Sequence, residues 1–89
     1  QDFADPTQDF KAIVYPNPYV ESFALDMDTS SEEPVQVKVY DMIGKLLEDR
    51  QFPINQVEMQ QFGERYPSGV YSIIVTQGGF VKTLRVIKR

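Results

Sequence analysis

Cysteine and histidine are both missing from this 89-residue chain. Without cysteine there are no disulfide staples and no thiolate metal sites, which leaves the compartment open. Without histidine the commonest general base and the commonest metal ligand go as well, so enzyme readings shrink to carboxylate or lysine chemistry. No apolar run approaches the roughly 20 residues of a membrane span. The chain does not open like a signal peptide, because Gln1 begins an acidic, polar stretch. It is expected to be cytoplasmic or a fragment of something longer. Basic residues are scarce early on: residues 1–33 carry Asp2, Asp5, Asp9, Glu21, Asp26, Asp28, Glu32 and Glu33 against Lys11 alone. Nucleic-acid binding wants a broad basic face and is not expected. Helical periodicity is lacking too, since its nearest approach, Met42 to Leu47, contains Gly44 and reads as a turn.

What is present is the composition of a folded domain, 42% hydrophobic and 25% charged. Its strongest pattern is two-residue alternation. Val35-Gln36-Val37-Lys38-Val39-Tyr40 places three valines on one face and polar-tipped residues on the other. Phe23, Leu25 and Met27 mark a half-buried strand over 22–28, and Tyr71, Ile73 and Val75 another over 70–77. Val57-Glu58-Met59-Gln60 reads as a shorter piece of strand. Asp41-Met42-Ile43-Gly44 suits a type I turn closed by a left-handed glycine, with its return strand over 45–52 and Pro53 as its stop. Tyr66-Pro67-Ser68-Gly69 reads as a turn, and Gly78-Gly79 as a two-residue hairpin leading into Phe80 to Arg89. These signals predict an all-β fold, an immunoglobulin-like antiparallel β-sandwich of about seven strands.

Two stretches resist a purely architectural account. In Val14-Tyr15-Pro16-Asn17-Pro18-Tyr19 an apolar run is cut off by two prolines, which lack the backbone donor that a sheet interior requires. In the last strand both faces are part apolar and part cationic: Phe80, Lys82, Leu84, Val86 and Lys88 alternate with Val81, Thr83, Arg85, Ile87 and Arg89. A strand with one wet face does not look like this. Other candidates carry less. Glu32 with Glu33 and Glu48 with Asp49 are neighbours that point to opposite faces of a strand, so they read as solvated surface rather than as acid/base pairs. No calcium-loop spacing is present. The tyrosines at 15, 19, 40, 66 and 71 read as core or sheet-edge packing before a sugar-stacking platform.

Taken together and in order, these pieces resemble the type A C-terminal sorting domain of proteins exported by the type IX secretion system of Bacteroidetes. The resemblance runs from Tyr15-Pro16-Asn17-Pro18 through Phe23-x-Leu25 and Val37-x-Val39-Tyr40-Asp41-x-x-Gly44-Lys45 to Ser68-Gly69-Val70-Tyr71, the Gly78-Gly79 hairpin and a basic last strand. It covers residues 12–89. Arg89, after the final lysine, departs from the pattern.

The resemblance implies a sandwich attached behind a cargo protein that has its own signal peptide. The cargo would cross the periplasm and then the outer-membrane translocon to reach the cell surface or the medium. An outer-membrane shuttle protein would engage the domain, and a sortase would commonly remove it. Residues 1–11 are expected to be a linker to the upstream cargo, and 12–89 the sorting domain. Lys82, Arg85, Val86, Ile87, Lys88 and Arg89 are the expected contacts for shuttle and translocon, by strand addition and charge. Tyr15, Pro16, Asn17, Pro18, Asp41, Gly44, Gly69 and Tyr71 carry the motifs. No catalysis, cofactor, metal or small-molecule substrate is expected. The competing reading is an accessory fibronectin-like or carbohydrate-binding sandwich, which would share the fold and the tyrosines.

Overall fold

Three valines decide where the core lies. In the computed structural model, which describes residues 10–89, strand β3 (Val35–Tyr40) buries Val35, Val37 and Val39 completely while Gln36, Lys38 and Tyr40 remain half-exposed. Each buried valine contributes roughly 1.5–3 kcal/mol of burial free energy. Strand β3 lies between β4 (Leu46–Phe52) and β5 (Gly69–Gln77), and β6 (Phe80–Lys88) pairs with β5 to complete a four-stranded sheet in the order β4-β3-β5-β6. A second sheet pairs β1 (Phe10–Tyr15) with β2 (Ala24–Thr29), in register from Phe10 opposite Thr29 to Tyr15 opposite Ala24. Every strand pair is antiparallel. Phe10 and Leu25 of the small sheet meet the valines of β3, Tyr71, Ile73 and Val75 of β5, and Val86 of β6 in one buried cluster. The fold is thus the all-β, immunoglobulin-like antiparallel sandwich that the alternation predicts.

The turns follow local chemistry. Asp41 accepts hydrogen bonds at Oδ1 from the amides of Ile43 (3.0 Å) and Lys45 (2.8 Å), and Gly44 takes φ +86° to let the chain return into β4. The Gly78-Gly79 hairpin sets Gln77 opposite Phe80. Gln77 is buried without penalty because all of its polar atoms are used. It accepts from the Thr29 hydroxyl (2.7 Å) and donates to the carbonyls of Ser31 (3.2 Å) and Glu33 (2.9 Å), fixing the β2–β3 loop.

Several sequence expectations need correction. Phe10 and Lys11, placed in the linker, belong to β1, because Phe10 is an anchor of the core at 3% exposure. Residues 1–9 of that linker lie outside the described residues. The first strand therefore precedes the proline motif, which is a corner after β1. Val57 to Gln60 is not a strand: Ile54–Met59 forms a 3-10 helix that packs on β2 and buries only Val57. Its alternation is too short to tell a strand from one helical turn. The hydrogen-bonded turn near residue 66 comes earlier than expected, from Gly63 to Tyr66, with Arg65 at φ +67°. The mixed faces of β6 also resolve. Phe80, Leu84 and Val86 face inward, whereas Val81, Thr83, Arg85 and Ile87 face out. The two inward lysines lie over aromatic rings, Lys82 Nζ 5.9 Å from the centre of Phe10 and Lys88 Nζ 5.8 Å from that of Tyr19.

Candidate recognition surface at one end of the sandwich

The proline corner answers its own question. With Tyr15-Pro16 and Asn17-Pro18 both cis, the chain leaves β1 and runs along the outer edge of β6. In the β5–β6 hairpin the even residues of β6 exchange hydrogen bonds with β5, so the backbone groups of odd residues point to the open edge. The corner satisfies four of these. The Tyr19 amide donates to the Ile87 carbonyl (2.8 Å), and the Arg89 amide donates to the Tyr19 carbonyl (2.9 Å). Between the prolines, Asn17 uses its side chain as a surrogate backbone: Nδ2 donates to the Arg85 carbonyl (3.0 Å), and Oδ1 accepts from the Ile87 amide (3.1 Å). Proline removes two backbone donors, and the asparagine amide supplies both a donor and an acceptor in their place.

Tyr19 then nails the corner to the body. It is fully buried, donates its hydroxyl to the Gly63 carbonyl (3.0 Å), and packs edge-on to Phe23, whose ring stacks on Phe62. Burial pushes its phenol up to about 12, with smaller contributions from Tyr71 and Glu48. Glu48, expected to be solvated surface, is instead a polar hub. Its carboxylate pairs with Arg50 and accepts from the Gly63 amide (3.0 Å) and the Tyr66 hydroxyl. Arg50 in turn lies 4.5 Å over the Phe62 ring. Burial, then the Glu48 bond, raises the Tyr66 phenol well above the ordinary tyrosine range.

The remaining motif residues are close by. Gly69 opens β5 opposite Lys88, and Tyr71 sits opposite Val86. The Tyr71 hydroxyl donates back to the Pro67 carbonyl, four residues upstream, which pins the entry into β5 in the manner of a tyrosine corner. Burial, then the nearby Asp41, raises its phenol. A cleft of about 380 Å³ separates this entry from the Asp41–Lys45 turn. Segments around residues 17, 41, 69 and 87, far apart in sequence, thus share one end of the sandwich. The family model of the secretion system C-terminal sorting domain matches residues 13–89.

The chain belongs to this family. Neither the curated proteins nor the solved structures compared with it contain a match. The sorting domain is a C-terminal signal of type IX secretion, attached to cargo and directing export to the cell surface or the extracellular space. Its family is one of signals, not enzymes.

Within the sorting domain the expected contact residues separate. Val86 is completely buried in the core and has no surface to offer. Arg85, Ile87 and Arg89 are exposed, and Lys88 is half-buried against Tyr19. Lys82 lies nearer the Gly78-Gly79 hairpin, away from this end. The edge of β6 from 85 to 89 is already paired, so a partner strand cannot add there without displacing Asn17 and Tyr19. Pro16, Asn17 and Pro18 are exposed, and Tyr15 is partly so. Sequence reasoning missed Glu48, Gly63 and Phe62, which brace the site from behind. The one signal in the sequence is the bulk of Phe62 within Gln60-Gln61-Phe62-Gly63-Glu64.

Proposed function

We propose that an outer-membrane shuttle protein reads the sorting domain through this motif-bearing end while the cargo is in transit through the periplasm, and that the domain is then handed to the translocon. A sortase subsequently cuts in or just before the linker that precedes β1. The observation that supports this reading is the convergence of the Asn17 corner, the Asp41 turn, the Gly69-Tyr71 entry and the exposed cations of the last strand on one end. Recognition would proceed over side chains on a folded surface rather than by strand addition at 85–89, and the contacts would be Arg85, Ile87, Lys88 and Arg89. Such a surface serves any cargo, since it asks nothing of the upstream protein.

The deciding experiment fuses a signal peptide and a fluorescent protein ahead of the chain, in a host with the type IX machinery and in one lacking the translocon. Export only in the first host is expected. Equal periplasmic retention in both would remove the sorting role and favour an accessory binding module. Reversing Arg85 and Arg89 to glutamate should weaken export in a salt-dependent manner without unfolding the domain.

A further inference from the structure

The Asp41–Lys45 turn needs two of its residues for its own geometry. Asp41 caps two amides and Gly44 supplies the positive φ, whereas the positions between them are unconstrained. A loop tip with such freedom is ordinarily polar. Here it carries Met42 at 75% and Ile43 at 88% exposure. Val70 and Ile87, a directly opposed pair on the outer face of β5 and β6, add two further exposed apolar side chains beside it. Met42 and Val70 line both the cleft in front of Tyr71 and a neighbouring hollow that reaches Ser72 and Arg85. Scattered exposed apolar residues are normal, but a contiguous group around a concavity marks a contact site.

We infer that this cleft takes an apolar side chain from a protein of the export machinery, presented within a ring of carboxylates. The inference rests on the sorting role proposed above and names the surface that performs it. Charge selects the acidic rim. Lys45 and Arg85 flank the patch, both exposed, and among the described residues neither makes an ion pair. Shape favours a protein, because these apolar residues surround a hollow of about 380 Å³ that a side chain can fill. A protein contact of this form concentrates its energy in a few apolar anchors, with charges setting approach and orientation.

The test uses the same reporter fusion with Met42→Ser and Ile43→Ser together, alongside Met42→Leu with Ile43→Val, and separately Lys45→Glu with Arg85→Glu. With folding checked by circular dichroism and melting, the serine pair should lower export about fivefold or more, on the scale of losing one anchor. The Leu/Val pair should restore export, and the charge reversal should weaken it more at low salt than at high. A photo-crosslinking residue in place of Ile43 should capture an outer-membrane protein in the translocon-positive host, and the serine change at Met42 should reduce that product. Normal export of a folded serine pair overturns the inference and leaves the sorting role standing. Retention of the unaltered fusion overturns both. Co-sedimentation of the unaltered chain with phosphatidylglycerol vesicles, lost in the serine pair, would assign the patch to lipid instead. Concentration-dependent dimerisation lost in the same pair would assign it to a second copy, and either result overturns the proposal.

Discussion

Asn17 does with one amide what two prolines prevent the backbone from doing. Replacing it with alanine leaves the Ile87 amide and the Arg85 carbonyl to water, at a cost of about 1 kcal/mol at an exposed site. Hydrogen exchange should report the change locally: the Ile87 amide should speed up about fivefold while the Val86 amide, on the β5 side, does not. Asn17→Asp keeps the acceptor and loses the donor, so it should fall between the two. Two glycines separate strain from space. Gly44→Ala meets nothing within 4 Å and should cost only the left-handed backbone, about 1–2 kcal/mol. At Gly63 (φ +80°) an added Cβ would come within 2.8 Å of the Phe23 ring and closer still to the Tyr19 hydroxyl, so the alanine there should cost about 1–3 kcal/mol more, by urea denaturation. Tyr19 gives a pH signature. Its folded phenol titrates near 12, above the ordinary tyrosine value of 10, so the folded state holds the proton longer than the unfolded chain. The associated stability is complete below pH 10 and is lost as pH rises toward 12. Tyr19→Phe should remove that part of the alkaline decline, read from melting temperatures across this window.

At the scale of the strand, the last element serves the core and the surface with alternate residues. Val86→Ala opens a cavity in the sandwich and should cost about 2–3 kcal/mol, whereas Ile87→Thr, one residue on, should stay within about 0.5 kcal/mol. Deleting 86–89 removes Val86 together with both backbone partners of Tyr19, so it loosens the corner as well as the strand. Loss of export after that truncation says little about recognition; only surface substitutions do. Strands of this kind are legible in sequence where one period holds over six residues or more, as in Val35–Tyr40, and where turn chemistry is local, as at Asp41 and Gly44. The 3-10 helix is not, because four alternating residues fit either backbone. The closure of the β6 edge is not legible either, because Asn17 and Ile87 meet across 70 positions and nothing local to either announces the other. Glu48 reads as wet in sequence, and the hydrogen-bonding role of Gln77 goes unread, for the same reason. Their partners, Gly63 and Tyr66 for one and Thr29, Ser31 and Glu33 for the other, are brought in by topology.

At the scale of the whole molecule, the point where the chain enters and the surface proposed for recognition lie at opposite ends. Phe10 opens β1 beneath the ammonium of Lys82, which pairs with Val75 two residues from the Gly78-Gly79 hairpin. The motif residues gather around Lys88, six residues further along β6, or about 20 Å at the rise of a strand. On the proposed reading, cargo ahead of Phe10 joins the sandwich at the end away from the recognition surface. Three placements of one reporter test this arrangement. Ahead of Gln1, and inserted between Gly78 and Gly79 at the same far end, a fluorescent protein should be exported to the cell surface, where added protease reaches it. Inserted between Met42 and Ile43, in a turn equally exposed and equally dispensable for the core, it should leave the domain folded and the reporter in the periplasm. Both turns tolerate insertion on folding grounds, so a difference between them measures recognition alone. Equal export from the two hairpins would show that the motif-bearing end is not what the machinery reads.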